Sequence, residues 1–189
     1  MRIIAGTWRG RKLVTVPGVG TRPTADRVRE AVFSRLASRY SLAGIGVLDL
    51  FAGTGALGIE ALSRGAADLV SVERNRRAAR VLLENLRACD AAGKAEVVVE
   101  DALRALDVLA RRGRRFHGVF IDPPYGGGLL ASTIEALDRL DVLIGGGWVS
   151  AESSRDEELP QRIGRLVAVR SDVYGDTRVT LYELTGKGD

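Results

Sequence analysis

The sequence predicts an α/β protein built on a mostly parallel sheet. From residue 46 onward, short apolar runs alternate with segments whose apolar residues recur at helical spacing, a pattern typical of parallel βαβ units. The chain then ends in two strand-like runs, Leu166–Tyr174 and Arg178–Leu184, on either side of Gly175-Asp176. Such a pair predicts an antiparallel hairpin at the end of the sheet.

The elements before this hairpin fall into two parts, an N-terminal extension of residues 1–40 and a main domain of residues 41–189. In the extension, strands at Met1–Ala5 and Arg11–Val16 are joined by a glycine-containing turn, and a helix capped by Thr24 or Asp26 runs to about Tyr40. The main domain is predicted to have strands at Val47–Phe51, Leu69–Val72, Glu96–Val99, Val119–Ile121 and Trp148–Ala151, and helices at Ala56–Ser63, Asn75–Cys89, Ala102–Ala110 and Leu129–Leu140.

Length and composition limit the class of protein. The 189 residues are 46% hydrophobic and 28% charged, which is ordinary for a globular domain. A single Cys and a single His leave no intramolecular disulfide and no finger-type zinc site, so we expect a reducing, cytoplasmic location and no metal. The N-terminus lacks an apolar signal segment, and polar residues interrupt the apolar stretch 42–62, so we expect no secretory leader and no membrane span.

Positive charge is concentrated at the start of the chain. Residues 1–40 hold nine Lys and Arg against two acids, a net charge of +7, whereas the whole chain has +4. This asymmetry indicates either an arm that binds a polyanion or a solvated surface. The candidate RNA contacts are Arg2, Trp8, Arg9, Arg11, Lys12 and Arg29, although a lone tryptophan such as Trp8 in a small hairpin is more often its packing anchor.

A glycine-rich loop follows the first strand of the main domain. Gly53, Gly55 and Gly58 match the G-x-G-x-x-G pattern of nucleotide-binding loops. Asp49 discriminates between cofactors, because a carboxylate beside the loop would repel a pyrophosphate but would favour the ammonium and sulfonium of S-adenosylmethionine. We therefore predict an S-adenosylmethionine site rather than a dinucleotide site. The loop residues assigned to it are Asp49, Phe51, Ala52, Gly53, Thr54 and Gly55.

Two further acids end the next two strands, and the carboxyl ends of parallel strands share one ligand-binding edge. Glu73 can accept hydrogen bonds from both ribose hydroxyls, or it can serve as an acid at a helix N-terminus. Asp101 can meet the adenine amino group or only cap the next helix. Their neighbours Arg74 and Ala102 complete the predicted cofactor site on these strands.

The fourth strand ends in Asp122-Pro123-Pro124-Tyr125. The two prolines make a rigid turn that presents carbonyls without competing N–H donors. The amine of a nucleobase is a poor nucleophile, and acceptors on its hydrogens, the Asp122 carboxylate and the Pro123 carbonyl, would return electron density to the nitrogen and orient it. Tyr125 offers a face for base stacking. The turn therefore predicts methylation of an amino group without a metal.

These motifs together resemble the RsmD family of bacterial 16S rRNA guanine-N2 methyltransferases. The resemblance rests on residues 49–55 (DLFAGTG), the Asp-Pro-Pro-Tyr turn, residues 21–30 (TRPTADRVRE) and the opening residues 3–13 (IIAGTWRGRKL), and it covers essentially the whole chain. It implies a Rossmann-like methyltransferase sheet of seven strands with the last antiparallel, and an N-terminal extension that engages RNA. It also implies that Arg22, Pro23 and Thr24 border the cofactor and the base.

The resemblance further implies that the substrate is 16S rRNA in the 30S subunit or an assembly intermediate. For the oligomeric state, which the sequence does not indicate, a monomer is the default expectation. Other amino-group methyltransferases, acting on adenine N6 in DNA or on protein glutamine, share the Asp-Pro-Pro-Tyr chemistry. Outside this class, an NAD-dependent oxidoreductase and a non-catalytic RNA-binding assembly factor are the alternatives. The arginine-rich stretch Arg111–Arg115 has no assigned role.

Overall fold

The computed structural model describes residues 1–16, 23–124 and 128–186, with only the backbone of residues 23–25. Its helices are α1 Pro23–Arg39, α2 Ala56–Ser63, α3 Arg76–Ala88, α4 Ala102–Arg111 and α5 Leu129–Arg139, with a 3₁₀ turn at Ala92–Lys94. Its strands are β1 Gly46–Asp49, β2 Asp68–Val72, β3 Ala95–Val98, β4 Phe116–Ile121, β5 Leu143–Ser154, β6 Arg162–Ile163, β7 Leu166–Tyr174 and β8 Thr177–Leu184.

The described strands form one sheet of eight in the order β3-β2-β1-β4-β5-β8-β7-β6. Strands β1 to β5 pair in parallel, and β8, β7 and β6 continue the sheet antiparallel. The predicted α/β class, parallel sheet and final hairpin are confirmed. The structure adds the two-residue strand β6, which is too short to have a periodicity, and extends β5 to Ser154 because it pairs with β8 along residues 148–154.

Each face of the sheet is covered by an apolar layer. Helices α4 and α5 pack on one face, and α1, α2 and α3 pack on the other. On the second face, Phe33 of α1 lies against Phe120 of β4 with ring centroids 5.4 Å apart, and Phe120 lies 5.2 Å from Trp148 of β5. The segments 1–40 and 41–189 therefore share an apolar cluster, and their division into two units stays a prediction.

The N-terminal segment forms a hairpin whose paired region is shorter than the two predicted strands. The only bridge in described residues 1–16 pairs Arg2 with Lys12, so the predicted extent of the strands at 1–5 and 11–16 is wrong. The reason lies in two buried side chains of the main domain. Glu60 accepts the N–H groups of Ile4 and Ala5 at 2.8 and 3.0 Å, and Asn85 bonds both the N–H and the carbonyl of Val14.

The two edges of the sheet differ in character. The arginine-rich stretch before β4 lies at the amino-terminal edge, where its side chains form ion pairs: Arg112 with Glu96, Arg114 with Asp68 and Arg115 with Asp141. The three acids, Glu96, Asp68 and Asp141, lie at or near the starts of β3, β2 and β5. The stretch without an assigned role thus contributes surface ion pairs opposite the ligand-binding edge.

Candidate active site

A cleft of about 350 Å³ opens at the carboxyl ends of β1, β2, β3 and β4. Its lining comes from the four connections that follow these strands, in keeping with the rule that open α/β sheets bind ligands at this edge. The lining residues are Leu50, Phe51, Gly53, Val72, Glu73, Arg74, Glu100, Asp101, Ala102, Asp122, Pro123, Pro124 and Leu129. Nine residues predicted for the cofactor or the amine therefore meet here: Phe51, Gly53, Glu73, Arg74, Asp101, Ala102, Asp122, Pro123 and Pro124.

The glycine loop is shaped by steric requirements at two positions. Gly55 has φ of +91° at the start of α2, and a Cβ there would lie 2.3 Å from Leu82 Cδ1. At Gly58 a Cβ would lie 2.9 Å from the Leu69 side chain and 3.2 Å from Asp49 Oδ2. Larger residues would strain the backbone at Gly55 and push α2 away from β1 and β2 at Gly58. The glycines thus allow the strand-to-helix turn above the sheet.

Asp49 lies beneath this loop rather than on the wall of the cleft. It is 1% exposed, and its Oδ2 accepts the Gly58 N–H at 3.0 Å. Oδ1 is buried and has no hydrogen-bond partner among the described residues. Burial raises the pKa of Asp49 to about 7, and the negative charges of Asp122 and Glu73 add to this effect. An unpaired buried acceptor of this kind is stabilised by a nearby cation.

Glu73 and Asp101 both have a structural role at the start of a helix and both lie on the cleft. Glu73 Oε2 accepts the Gly53 N–H at 2.8 Å and Oε1 accepts the Asn75 N–H at 2.6 Å, so Glu73 fixes the glycine loop to the start of α3. Asp101 caps α4, since its Oδ1 accepts from Leu103 N at 3.0 Å. Both carboxylates also line the cleft, and their contacts with ribose and adenine stay predictions.

Asp122 stands at the end of β4, on the border of the cleft. Its side chain opens to solvent on the cleft side, while the protein that surrounds the carboxyl on its other sides raises the pKa of Asp122 to about 6. Pro123 and Pro124 continue the chain along the cleft wall. Tyr125 and Arg22 lie outside the described residues, and only the backbone of Pro23 and Thr24, in the first turn of α1, is described.

The remaining predicted cofactor residues lie behind the cleft wall. Ala52 is buried and its N–H donates to Val72 O at 3.0 Å. The Thr54 carbonyl accepts from Asn85 Nδ2 at 2.9 Å. Neither these two residues nor Gly55 lines the cleft. Their direct contacts with a cofactor stay predictions, and the structure gives them a part in shaping the loop.

The predicted RNA residues divide by exposure. Arg2, Arg9, Arg11 and Lys12 are exposed, although the Arg11 guanidinium donates to Ala88 O. Trp8 is partly buried against the apolar cluster of the α1 face. Arg29 is 4% exposed and pairs with Asp26 and the Arg2 carbonyl. Burial therefore favours packing roles for Trp8 and Arg29, and RNA contacts for the exposed four stay predictions.

Three polar residues with a structural or functional role were missed from the sequence. Asn85 and Glu60 are buried polar residues on helix faces, where apolar periodicity gives no signal for them. The third, Glu152, follows Ala151, which was the predicted end of the fifth strand. The rule that drew attention to Glu73 and Asp101, an acid at the carboxyl end of a parallel strand, also applies to Glu152 once β5 is placed beside β4.

The charges around the cleft favour a cationic ligand. Asp49, Glu73, Glu100, Asp101 and Asp122 surround or underlie it, and Arg74 is the one basic residue of its described lining. Among residues 1–16, 23–124 and 128–186, no cluster of His, Cys, Asp or Glu is arranged to hold a metal ion. In the same part of the chain no helix has the length and apolar character needed to cross a bilayer. These carboxylates therefore fit an ammonium or sulfonium compound better than a pyrophosphate.

Solved structures define the class of protein to which this fold and cleft belong. The structure of yhhF from Escherichia coli has a TM-score of 0.87 at 39% identity and covers 99% of each chain. SMU.776, a structure complexed with SAH, shares the fold at 18% identity, with a TM-score of 0.68 over 93% of this chain and 52% of its own. The class is that of the S-adenosylmethionine-dependent methyltransferases, whose cofactor is S-adenosylmethionine, as the glycine loop and Asp49 predicted.

The family can be stated more narrowly. The family model described as "Conserved hypothetical protein 95" matches residues 1–183. Ribosomal RNA small subunit methyltransferase D of Escherichia coli strain K12 is 40% identical over 189 residues, which cover 100% of this chain and 92% of that protein. The chain belongs to this family, which is the RsmD family that its motifs resemble.

Proposed function

We propose that this protein transfers a methyl group from S-adenosylmethionine to the exocyclic N2 amine of a guanine in 16S rRNA of the small ribosomal subunit. The observation that carries the amine as target is the position of Asp122 and Pro123 on the border of the cofactor cleft. Ribosomal RNA as substrate is supported by the name of the 40% identical Escherichia coli relative. The proposed setting is a monomer acting in the cytoplasm on the 30S subunit or an assembly intermediate.

The residues of the site divide the work of the reaction. When bound, S-adenosylmethionine supplies an electrophilic methyl group. Glu73 and Asp101 hold the ribose and adenine ends of the cleft, and the unpaired Oδ1 of Asp49 favours positive charge beneath the loop. Asp122 and the Pro123 carbonyl accept hydrogen bonds from the amine and orient its nitrogen. Asp122 is also placed to take up the proton that the amine loses, because its pKa is about 6.

The site also weighs against the alternatives. A dinucleotide would bring its pyrophosphate against Asp49 and the other acids of the cleft, whereas Arg74 is the single cation of the described lining. An assembly factor without catalytic activity would not need a carboxylate and the Pro123 carbonyl together on the border of a cofactor cleft. Adenine in DNA and glutamine in protein are excluded less sharply, because their amino groups need the same two acceptors.

The test is a parallel transfer assay with labelled S-adenosylmethionine. Unmethylated 30S subunits, free 16S rRNA, DNA and protein are offered separately, and the labelled product is mapped to its nucleotide and position. We expect label on the N2 atom of one guanine, with assembled or partly assembled subunits as the best substrate. Label on adenine N6, on glutamine or on no acceptor would overturn the proposal, and so would tighter binding of NAD than of S-adenosylmethionine in calorimetry.

A further inference from the structure

A second carboxylate stands beside Asp122 on the neighbouring strand. Strands β4 and β5 are parallel, and Ile121 pairs with Ala151. Asp122 and Glu152 therefore occupy the next register position, and their side chains project on the same side as those of Phe120 and Ser150, which pair two residues earlier. Neighbouring strands lie about 4.8 Å apart, so the two carboxyls can reach adjacent atoms of one ligand.

Glu152 lies on the side of Asp122 that faces away from the cofactor cleft. The cleft is lined from the connections after β1, β2, β3 and β4, and no residue of β5 contributes to it. The cofactor occupies the cleft on one side of Asp122. A base whose amine is bound by Asp122 therefore extends to the other side, toward β5. Glu152 is the acid that this placement brings to the base.

The Glu152 carboxyl has no partner of its own in the described structure. It makes no hydrogen bond or ion pair with any residue in 1–16, 23–124 or 128–186, although it is half-buried. Burial raises its pKa well above the usual value for Glu, and the charges of Asp122 and Asp49 raise it further. A half-buried carboxylate is less well hydrated than an exposed one, so an N–H supplied by a ligand gives it a hydrogen bond that the described residues do not.

Guanine offers the donors that this pair of acids lacks. Its N1–H and N2 amine stand side by side as two donors, whereas adenine has an N1 lone pair beside its N6 amine. We propose that Glu152 accepts the N1–H of the target guanine while Asp122 holds the N2 amine, and that this second contact selects guanine against adenine. This inference rests on the proposed function. A hydrogen bond from N1–H favours the ionised form of Glu152, whereas an adenine N1 would face a carboxylate of like polarity.

The test uses a base that keeps the reacting amine and loses only the second donor. Small subunits are reconstituted with 16S rRNA that carries guanine or 2-aminopurine at the mapped nucleotide, since 2-aminopurine has the 2-amino group but no N1–H. For the wild-type protein we expect kcat/KM to be about 10- to 100-fold higher with guanine. Glu152→Ala should lower kcat/KM with guanine but not with 2-aminopurine, whose N1 lone pair faces the Glu152 carboxylate in the wild type and is relieved of that repulsion in the variant. Glu152→Gln should reduce the ratio of kcat/KM with guanine to kcat/KM with 2-aminopurine, because the Gln amide can also donate to N1 of 2-aminopurine.

Controls separate this contact from general effects on the fold or on charge. Glu158→Ala removes an exposed carboxylate from the loop after β5, and we expect it to leave both rates unchanged. S-adenosylmethionine affinity in calorimetry should be the same for all variants, and no variant should have a lower thermal midpoint than the wild type. An equal loss with both bases in Glu152→Ala would overturn the role of Glu152 alone. Label on a base other than guanine with the wild-type protein would overturn the proposed function and this role together.

Discussion

Asp122 is the residue whose change should affect the chemistry most directly. Asp122→Ala removes the side-chain acceptor for the amine, so we expect kcat to fall by about 100-fold or more, in the range measured for single electrostatic contacts in active sites. S-adenosylmethionine affinity should change by less than about threefold, because Glu73, Asp101 and the glycine loop provide the cofactor contacts. Single-turnover transfer and calorimetry measure the two effects. Asp122→Asn keeps an acceptor oxygen and serves as the matched control, and full activity of Asp122→Ala would contradict the mechanism.

The pKa of Asp122 gives a second prediction for the same residue. The carboxyl must be ionised to take up the proton that the amine loses, and its pKa is about 6 in the free protein. We expect kcat/KM to rise as pH increases through about 6 and to level off above it. In Asp122→Asn this rise should disappear because the amide does not titrate. The measurement is kcat/KM from pH 5 to 8 at constant ionic strength, and an unchanged pH dependence in the variant would assign the titration to another group.

Asp49 predicts a pH dependence of stability rather than of rate. Its pKa is about 7 in the folded protein against an ordinary value of 3.8, so the folded state holds this proton more tightly. The associated stability is present below pH 4 and is lost as pH rises through about 7. Asp49→Asn can keep the bond to Gly58 N without carrying a charge. Its free energy of unfolding, relative to the wild type without cofactor, should therefore increase by about 1 to 4 kcal/mol between pH 4 and pH 8. Its S-adenosylmethionine affinity should fall, and a constant difference across this range would contradict the argument.

At the scale of the elements, one side chain connects three segments of the protein. Asn85 of α3 bonds the N–H and carbonyl of Val14 in the N-terminal hairpin and the Thr54 carbonyl in the glycine loop. Asn85→Ala leaves these groups without their partner, so we expect a loss of about 1 to 3 kcal/mol of stability in urea unfolding. S-adenosylmethionine affinity should fall with it. Glu84→Ala, an exposed change one residue away, is the control. Equal effects of both variants would contradict the role of the Asn85 hydrogen bonds.

The elements also show where periodicity is informative. Helix α2 was predicted at its observed bounds because Gly65 follows it and apolar residues dominate it, and β7 has the bounds given by its apolar run. Periodicity was insufficient where side chains replace strand pairing, as Glu60 does for Ile4 and Ala5. It was also insufficient for β5, whose last residues are defined by β8. Asp49, Glu73, Asp101 and Asp122 could be named from the sequence because they end strands, whereas Glu152 needed the order of the strands.

For the whole molecule, the charge that RNA can meet differs from the charge counted along the sequence. Of the basic residues in the first 40, Arg35 and Arg39 of α1 pair with Asp172 and Glu183, acids more than 130 positions away. Arg29 is buried. The exposed positive charge is therefore concentrated in the hairpin, where Arg9 and Lys12 form no ion pair with the described residues. The fold converts a diffuse block of basic residues into a local basic surface beside α3.

This distribution predicts that the salt dependence of RNA affinity comes from the N-terminal hairpin. If Arg9 and Lys12 contact phosphates, the double change Arg9→Ala/Lys12→Ala should reduce the slope of log affinity against log salt by about 1.4 to 1.8, at roughly 0.7 to 0.9 per contact. The kcat at saturating substrate should stay unchanged, because neither residue lies near the cleft. Arg112→Ala/Arg115→Ala removes the same charge at the amino-terminal edge, where the lost surface ion pairs contribute little to stability. Binding of small subunits is measured at several salt concentrations, and we expect the slope to fall only in the hairpin variant. An equal loss of slope in both variants would show that binding depends on net charge alone.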